Sequence, residues 1–263
     1  MFESYEKAIA DIAAGLSKFR IIHLLSIQEV SHRYRRSSLG VFWITGNMAV
    51  LIATIGFVFG NIFIADTSKY VPFLTAGFIF WGLFSTTLGE GVLAYINGEE
   101  LLKSEPIPMS LLIFRALWYN LIVAAHNFVI FIFVSVIFDV RPNIFTLFLV
   151  PGLCVFVATT FFLVLLFAPI ATRFRDMAPI ISNILQVAFY LTPVVWLPSL
   201  LSSKAVWLFW NPFFHLLEIV RRPLLGEAIS AVSWAVSLGV LVVAGLLALF
   251  FHGKFRDRIT YWL

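Results

Sequence analysis

Charge is what this 263-residue chain has least of. Charged residues are 12% of the sequence, against about 25% in a soluble domain, while hydrophobic residues reach 61% and the mean hydropathy is +0.97. No soluble core hides that much apolar surface, so water is excluded as the main solvent. The long apolar stretches hold no Asp, Lys or Arg, and so lack the intramembrane coupling charges a secondary transporter uses. No G-x-x-x-x-G-K-[ST] phosphate loop occurs. Gly253-Lys254 comes nearest, but Phe255 follows it and the upstream glycine is missing, so the chain carries no nucleotide-binding motor of this type. Asp176 and the acidic stretch around residue 100 are the only candidates for the carboxylates of a membrane-embedded transferase, and they lack the spacing one would need. Neither catalytic nor metal-ligating residues are therefore expected. The one cysteine, Cys154, rules out an intrachain disulfide and reads as a small packing residue.

What is present is six long apolar stretches: Val41 to Ala65, Tyr70 to Gly89, Ala116 to Phe138, Pro142 to Thr172, Met177 to Ser203 and Ala228 to Phe251. Each reaches the roughly 20 residues of a spanning helix. Barrel strands would read as alternating segments of about 10 residues, and helices are the open-ended spans that satisfy their own backbone in lipid. The expected fold is an all-α polytopic membrane protein with six transmembrane helices. Because the first stretch begins behind 40 charged and amphipathic residues, it does not read as a cleavable signal.

Lysine and arginine set the orientation. Lys7, Lys18, Arg20, Arg33, Arg35, Arg36, Lys103, Arg115, Arg173, Arg175, Lys254, Arg256 and Arg258 fall on one side, and Lys69, Arg141, Lys204, Arg221 and Arg222 on the other. Both termini are thus expected in the cytoplasm. The net charge of +4 and pI near 9.3 reflect this topology and contact with anionic membrane lipids, not nucleic-acid binding.

Three segments depart from plain spans. Residues 1–32 read as a cytoplasmic interface segment ahead of a transmembrane domain over 33–263. Within it Phe2, Tyr5, Ile9, Ile12, Leu16 and Phe19 form one apolar stripe, so an amphipathic helix in the interface plane is expected, with pairing to a soluble partner helix as the alternative. The cluster from Arg33 through Arg35 and Arg36 to Trp43 anchors the first span by its charge, and guanidinium groups also match phosphate or pyrophosphate oxygens. Residues 95–108 form an acidic cytoplasmic connection: a short helix from about Ile96 to Lys103, stopped by Pro106 and Pro108, is either a solvated face or a docking element. On the outer side, 197–227 contains the charge-free run Ala205 to Leu217, too short to span, with Trp207, Trp210, Asn211 and Pro212. It reads as an interfacial or re-entrant helical hairpin before the last span. Gly56 and Gly60 permit close helix approach within or between subunits. Glu90 and His126 are ionisable groups in or at the edge of a span.

Residues 33–43 (RYRRSSLGVFW), 173–177 (RFRDM), 189–196 (FYLTPVVW), Asn211-Pro212-Phe213 and 221–226 (RRPLLG) resemble, in order and spacing, the transmembrane subunit of type-2 ABC exporters for polysaccharides, which include the O-antigen, capsular-polysaccharide and teichoic-acid permeases. The resemblance covers nearly the whole chain. It implies a homodimer in the bacterial inner membrane, joined to two copies of a separate ATPase subunit that binds ATP and Mg, and exporting a lipid-linked polysaccharide of O-antigen type, or else teichoic acid or another lipid-linked glycan. It also implies that Ile96, Asn97, Gly98, Glu99, Glu100 and Leu101 belong to the helix that seats in the ATPase. Aromatic residues are 17% of the chain, 29 of them Phe, and flat rings hold the C–H faces of sugars without fixing a register. Candidate channel residues are Phe42, Trp43, Tyr119, Phe189, Tyr190 and Trp196, with Asn47, Asn120 and Asn127 as hydroxyl partners.

Overall fold

The computed structural model describes residues 2–34, 42–62 and 66–263. Among these, every regular element is helical. The order is α1 (Phe2–Ser17), α2 (Phe19–Tyr34), α3 (Phe42–Ile62), α4 (Thr67–Gly91), α5 (Ala94–Asn97), α6 (Glu99–Ser104), α7 (Ser110–Ile137), α8 (Leu149–Arg173), α9 (Met177–Leu191), α10 (Pro212–Leu224) and α11 (Ala231–Trp262). Short 3-10 segments, Ile144–Phe148 and Pro198–Trp210, lead into α8 and α10.

Among the described residues, five helices are long and apolar enough to cross a membrane: Phe42–Ile62, Thr67–Gly91, Ser110–Ile137, Ile144–Arg173 and Ala231–Trp262. The fifth apolar stretch of the sequence is built differently from the full span expected there. Its helix α9 has 15 residues, about 22 Å at 1.5 Å per residue, short of the ~30 Å hydrocarbon core. Pro193 is the cause: it supplies no N–H and drives the preceding residue extended, and Thr192 sits at φ −96, ψ 136.

Polar residues start the helices. Asp66 accepts from Ser68 N at 3.0 Å and opens α4, Asn143 forms a capping box ahead of α8, and Ser230 accepts from Ser233 N at 3.1 Å to open α11. The core is centred on α4, 72% of whose apolar window is buried, whereas α3 is peripheral at 11%. Gly56 and Gly60 face α4, where an added Cβ would stand 3.5 Å from Val71 and 3.4 Å from Thr67. The small-residue face of α3 therefore makes an intrachain contact. Phe80, Trp81, Phe84, Phe156 and Phe213 pack as a connected aromatic group between α4, α8 and α10.

The N-terminal segment sits on the bundle by its small and polar side. Ala8, Asp11 and Gly15 are buried against α7 and α11, while Ile9, Leu16 and Phe19 of the apolar stripe point outward. Contact is close enough that a Cβ on Gly253 would lie 1.7 Å from the Ser4 carbonyl oxygen. Ile9 and Leu16 thus stay more than half exposed, whereas Ile12 packs partly against the bundle and Phe19 meets Trp118 edge-on at 4.9 Å. Because α1 packs on the last turns of α11, with Lys7 Nζ 3.9 Å from Asp257 Oδ2, both ends of the chain lie on one side.

On the opposite side, Pro198–Trp210 and α10 form the hairpin expected before the last span. Phe213 at the start of α10 packs on Phe84 at 5.6 Å, and Arg221 near its end lies over Phe73 at 3.8 Å. Phe73 and Phe84 are eleven residues apart on α4, roughly 16 Å along the helix axis. The hairpin therefore enters the bundle and α10 runs back outward, a re-entrant geometry.

Candidate functional site

On the side of the termini, a buried carboxylate joins four elements. Asp11 of α1 is 1% exposed. Its Oδ1 accepts from Met109 N at 3.1 Å and its Oδ2 from Ser110 N at 2.9 Å, while the Ser110 hydroxyl donates to the Asp11 carbonyl at 2.8 Å. Helix α7 has no cap of its own, so Asp11 acts as a remote one, with its charge at the positive end of the helix dipole. His252 Nε2 of α11 lies 3.1 Å from Oδ2 and Arg256 Nε 3.3 Å from Oδ1. The Tyr95 hydroxyl of α5 reaches His252 Nδ1 at 3.4 Å. Burial pushes the Asp11 carboxyl up, but the His252 hydrogen bond and charge together with the Ser110 donors outweigh it, and the net displacement is downward. Burial pushes the Tyr95 phenol well above its ordinary range. A charge at residue 11 reads in sequence as part of a solvated helix face, so this joint carries no local signal.

Tyr95 and Leu102 fix the acidic connection from beneath, both buried. The expected single helix is two, α5 and α6, broken at Gly98, whose Cβ would stand 2.4 Å from Leu112. Ile96, Asn97, Glu99, Glu100 and Lys103 line an open depression of about 550 Å³, with Leu101 half-buried behind them. Lys103 pairs with Glu99 one turn away at 2.5 Å.

The Arg33 cluster is partly described: Arg35 and Arg36 lie outside the described residues. Arg33 Nη2 is 3.0 Å from Glu90 Oε1, its guanidinium stands 5.0 Å from the Tyr119 ring, and Asn120 Nδ2 donates to Glu90 Oε2 at 3.1 Å. Arg33, Glu90, Tyr119 and Asn120 are thus one constellation at the end of α4. Tyr119, Asn120 and Asn127 are all buried inside the chain, and the Asn127 side-chain Oδ1 has no hydrogen-bond partner there among the described residues.

The hairpin is seated by ions. Glu218 of α10 pairs with Arg221 and, at 2.5 Å, with Arg222. Fully buried Arg221 also donates to the Pro193 carbonyl at 2.6 Å, tying α10 to the break after α9. Asn211 caps α10, accepting from Phe213 N at 3.0 Å, and its amide donates to Thr192 Oγ1 at 3.1 Å. Trp207 stands 5.9 Å from Trp196, whose indole donates to the Tyr190 carbonyl. Trp210 is 85% exposed and Pro212 is exposed beside it.

Helices α3 and α9 show polar groups on their outward faces. Ser182, Asn183, Gln186 and Tyr190 are exposed along α9, and Asn47 and Thr54 along α3, next to exposed Phe42 and Trp43. Phe189 turns inward onto Phe78 and Trp81, each at 5.9 Å. Above the α9 stripe a groove of about 530 Å³ is lined by Asn183, Val187, Leu191, Trp207 and Trp210. Asn183 and Gln186 were not among the residues picked from sequence. Their signal is the spacing 183, 186, 190, one helical face.

The sequence profile described as ABC-2 type transporter matches residues 21–225. An O-antigen export system permease protein, RfbA, of Klebsiella pneumoniae is 21% identical over 248 residues, 90% of this chain and 93% of its own. An RfbA of Myxococcus xanthus is 24% identical over 193 residues, 72% of this chain and 74% of its own. The polysialic acid transport protein KpsM of Escherichia coli is 24% identical over 238 residues, 87% and 89% of the two chains.

Proposed function

The chain belongs to the ABC-2 type transporter family, and from that premise we propose that it is the membrane subunit of an ATP-driven exporter of a lipid-linked polysaccharide, most simply an O-antigen-type glycan. The exposed polar stripe on α9 and α3 carries this reading. Hydrocarbon-facing surfaces shed amide side chains, because each unsatisfied polar group in lipid costs several kcal/mol. Asn183, Gln186 and Tyr190 therefore face a watery path, closed by the same faces of a second copy in a homodimer. Amides there bond sugar hydroxyls, and Phe42, Trp43, Tyr190, Trp196, Trp207 and Trp210 offer rings for a chain that slides.

The termini face the cytoplasm of a bacterium, whose inner membrane holds the protein. Two copies of a separate ATPase, carrying ATP and Mg, seat on the carboxylates of Glu99 and Glu100, and Tyr95 and His252 pass movement of that segment to α1, α7 and α11. At the constellation of Arg33, Glu90 and Asn120, a substrate pyrophosphate competes with the Glu90 carboxylate for the guanidinium; Arg35 and Arg36 belong to the same proposal. The relatives' names, O-antigen export and polysialic acid transport, support the cargo class.

The test is reconstitution of chain and ATPase in vesicles with a lipid-linked glycan on the ATPase side. ATP-dependent arrival of glycan in the opposite leaflet or lumen is expected, reduced about tenfold or more by Asn183→Leu with Gln186→Leu while ATPase assembly persists. Transport without nucleotide, or unchanged export by the double variant, overturns the reading.

A further inference from the structure

On the side of the termini, a cleft of about 420 Å³ opens between the ends of α8 and α11. Its walls include Phe174, Phe251, Phe255 and Trp262, with Arg173 and Arg258 among them. Arg173 is the last residue of the membrane-crossing helix Ile144–Arg173, so the cleft lies where hydrocarbon gives way to headgroups. The Arg173 guanidinium stands 5.7 Å from the Phe174 ring and 5.9 Å from that of Trp262, and the Lys254 ammonium stands 5.5 Å from Phe255.

Most of the other described arginines are held in ion pairs. Arg33, Arg115, Arg141, Arg222 and Arg256 each have a carboxylate within 4.0 Å. Among the described residues, Arg173, Arg175, Lys254 and Arg258 have no ion-pair partner; Lys18, Arg20 and Lys69 have none either, but the first four gather around the ends of α8 and α11. Unpaired guanidinium groups beside dry aromatic walls complement a ligand that is anionic at one end and apolar along its length. We propose that this cleft binds an anionic phospholipid of the adjoining leaflet, its phosphate between Arg173 and Arg258 and one acyl chain against Phe251 and Phe255. A soluble phosphate has no use for the apolar walls, and a net-neutral phospholipid leaves the arginines half compensated. The site is independent of what the protein exports.

The experiment uses the full chain, purified and delipidated, titrated with phosphatidylglycerol or phosphatidylcholine and read by native mass spectrometry. A preference for phosphatidylglycerol is expected. Each arginine near an anionic headgroup contributes roughly fivefold, so Arg173→Gln with Arg258→Gln lowers that preference by about twenty-five-fold. The control pair Lys69→Gln with Arg141→Gln, on the opposite side, leaves it unchanged. Phosphatidylglycerol with brominated acyl chains quenches part of the tryptophan fluorescence, and Trp262→Phe removes that part. Equal binding of the two lipids overturns the proposal, as does an undiminished preference in the arginine pair. Complete displacement by a polyprenyl pyrophosphate assigns the cleft to a lipid-linked cargo, and loss of phosphatidylglycerol when the ATPase docks assigns it to a protein contact; either result also overturns it.

Discussion

Replacing Asp11 with Asn tests whether the buried joint between the two ends of the chain holds the cytoplasmic side together. Asparagine keeps the shape and one acceptor oxygen, enough for a single amide of the α7 N-terminus. It loses the charge opposite His252 Nε2 and Arg256 Nε, which stand 3.1 and 3.3 Å away. A hydrogen bond to a charged group contributes about 1.5–3 kcal/mol, and a carboxylate at a helix N-terminus about 0.3–2 kcal/mol more. Arg256 is partly exposed and adds little after screening. The expected cost is about 3 kcal/mol, which at roughly 2–4 °C per kcal/mol lowers the unfolding midpoint by about 6–12 °C. Thermal unfolding of the detergent-solubilised chain, followed by loss of monodisperse protein on sizing, reads this directly. The pH dependence gives an independent check. The Asp11 carboxyl is lowered in the folded chain, so its stabilisation is fully present above the unfolded value near 3.9 and fades as pH falls through the lowered one. The gap between wild type and variant should be present at about pH 5 and narrow as the pH falls below about 4. A shift under about 2 °C, or a gap that opens only on acidification, would refute the reasoning.

Charge reversal by Glu99→Lys with Glu100→Lys should abolish ATPase stimulation and export while leaving the unfolding midpoint within about 2 °C, measured by phosphate release and by the same sizing assay; unaltered stimulation removes this segment from the docking role. Glu218→Gln leaves Arg221 buried without its counter-charge, so a loss of about 3–5 kcal/mol is expected, seen as early unfolding and as protease cleavage within the hairpin. Gly253→Val drives a side chain into the Ser4 carbonyl and should lift α1 from α11, read as new amide exchange across residues 2–17 with α4 still protected.

The spans were legible because a helix in lipid must be apolar for its full length, and that pattern needs no partner to be read. The break after α9 was also written in the chain, at Thr192-Pro193, but continuous hydropathy through Val194 and Val195 masked it. What escaped reading was the polar interior. Arg221 and Arg222 counted as outer-side charges, and sequence did not show that Glu218, three and four residues earlier, pairs with both and holds Arg221 buried. Asp11 looked like part of the wet face of an amphipathic helix, since its partners lie about 100 and 240 residues away. Tyr119, Asn120 and Asn127 were picked as candidate channel residues; helix periodicity alone does not say which face meets a neighbour, and all three are buried inside the chain.

The contact between Asp11 and His252 spans 241 positions of sequence, and that distance sets an order of assembly. At about 5–20 residues per second, the ribosome needs roughly 10–50 s to deliver the second partner after the first has emerged. Until then α1 has no α11 to rest on, and its outward apolar stripe gives it a place to wait on the membrane surface. Seating of the first helix is therefore completed only when the last helix is made, and a nascent chain truncated before His252 should leave its own beginning undocked.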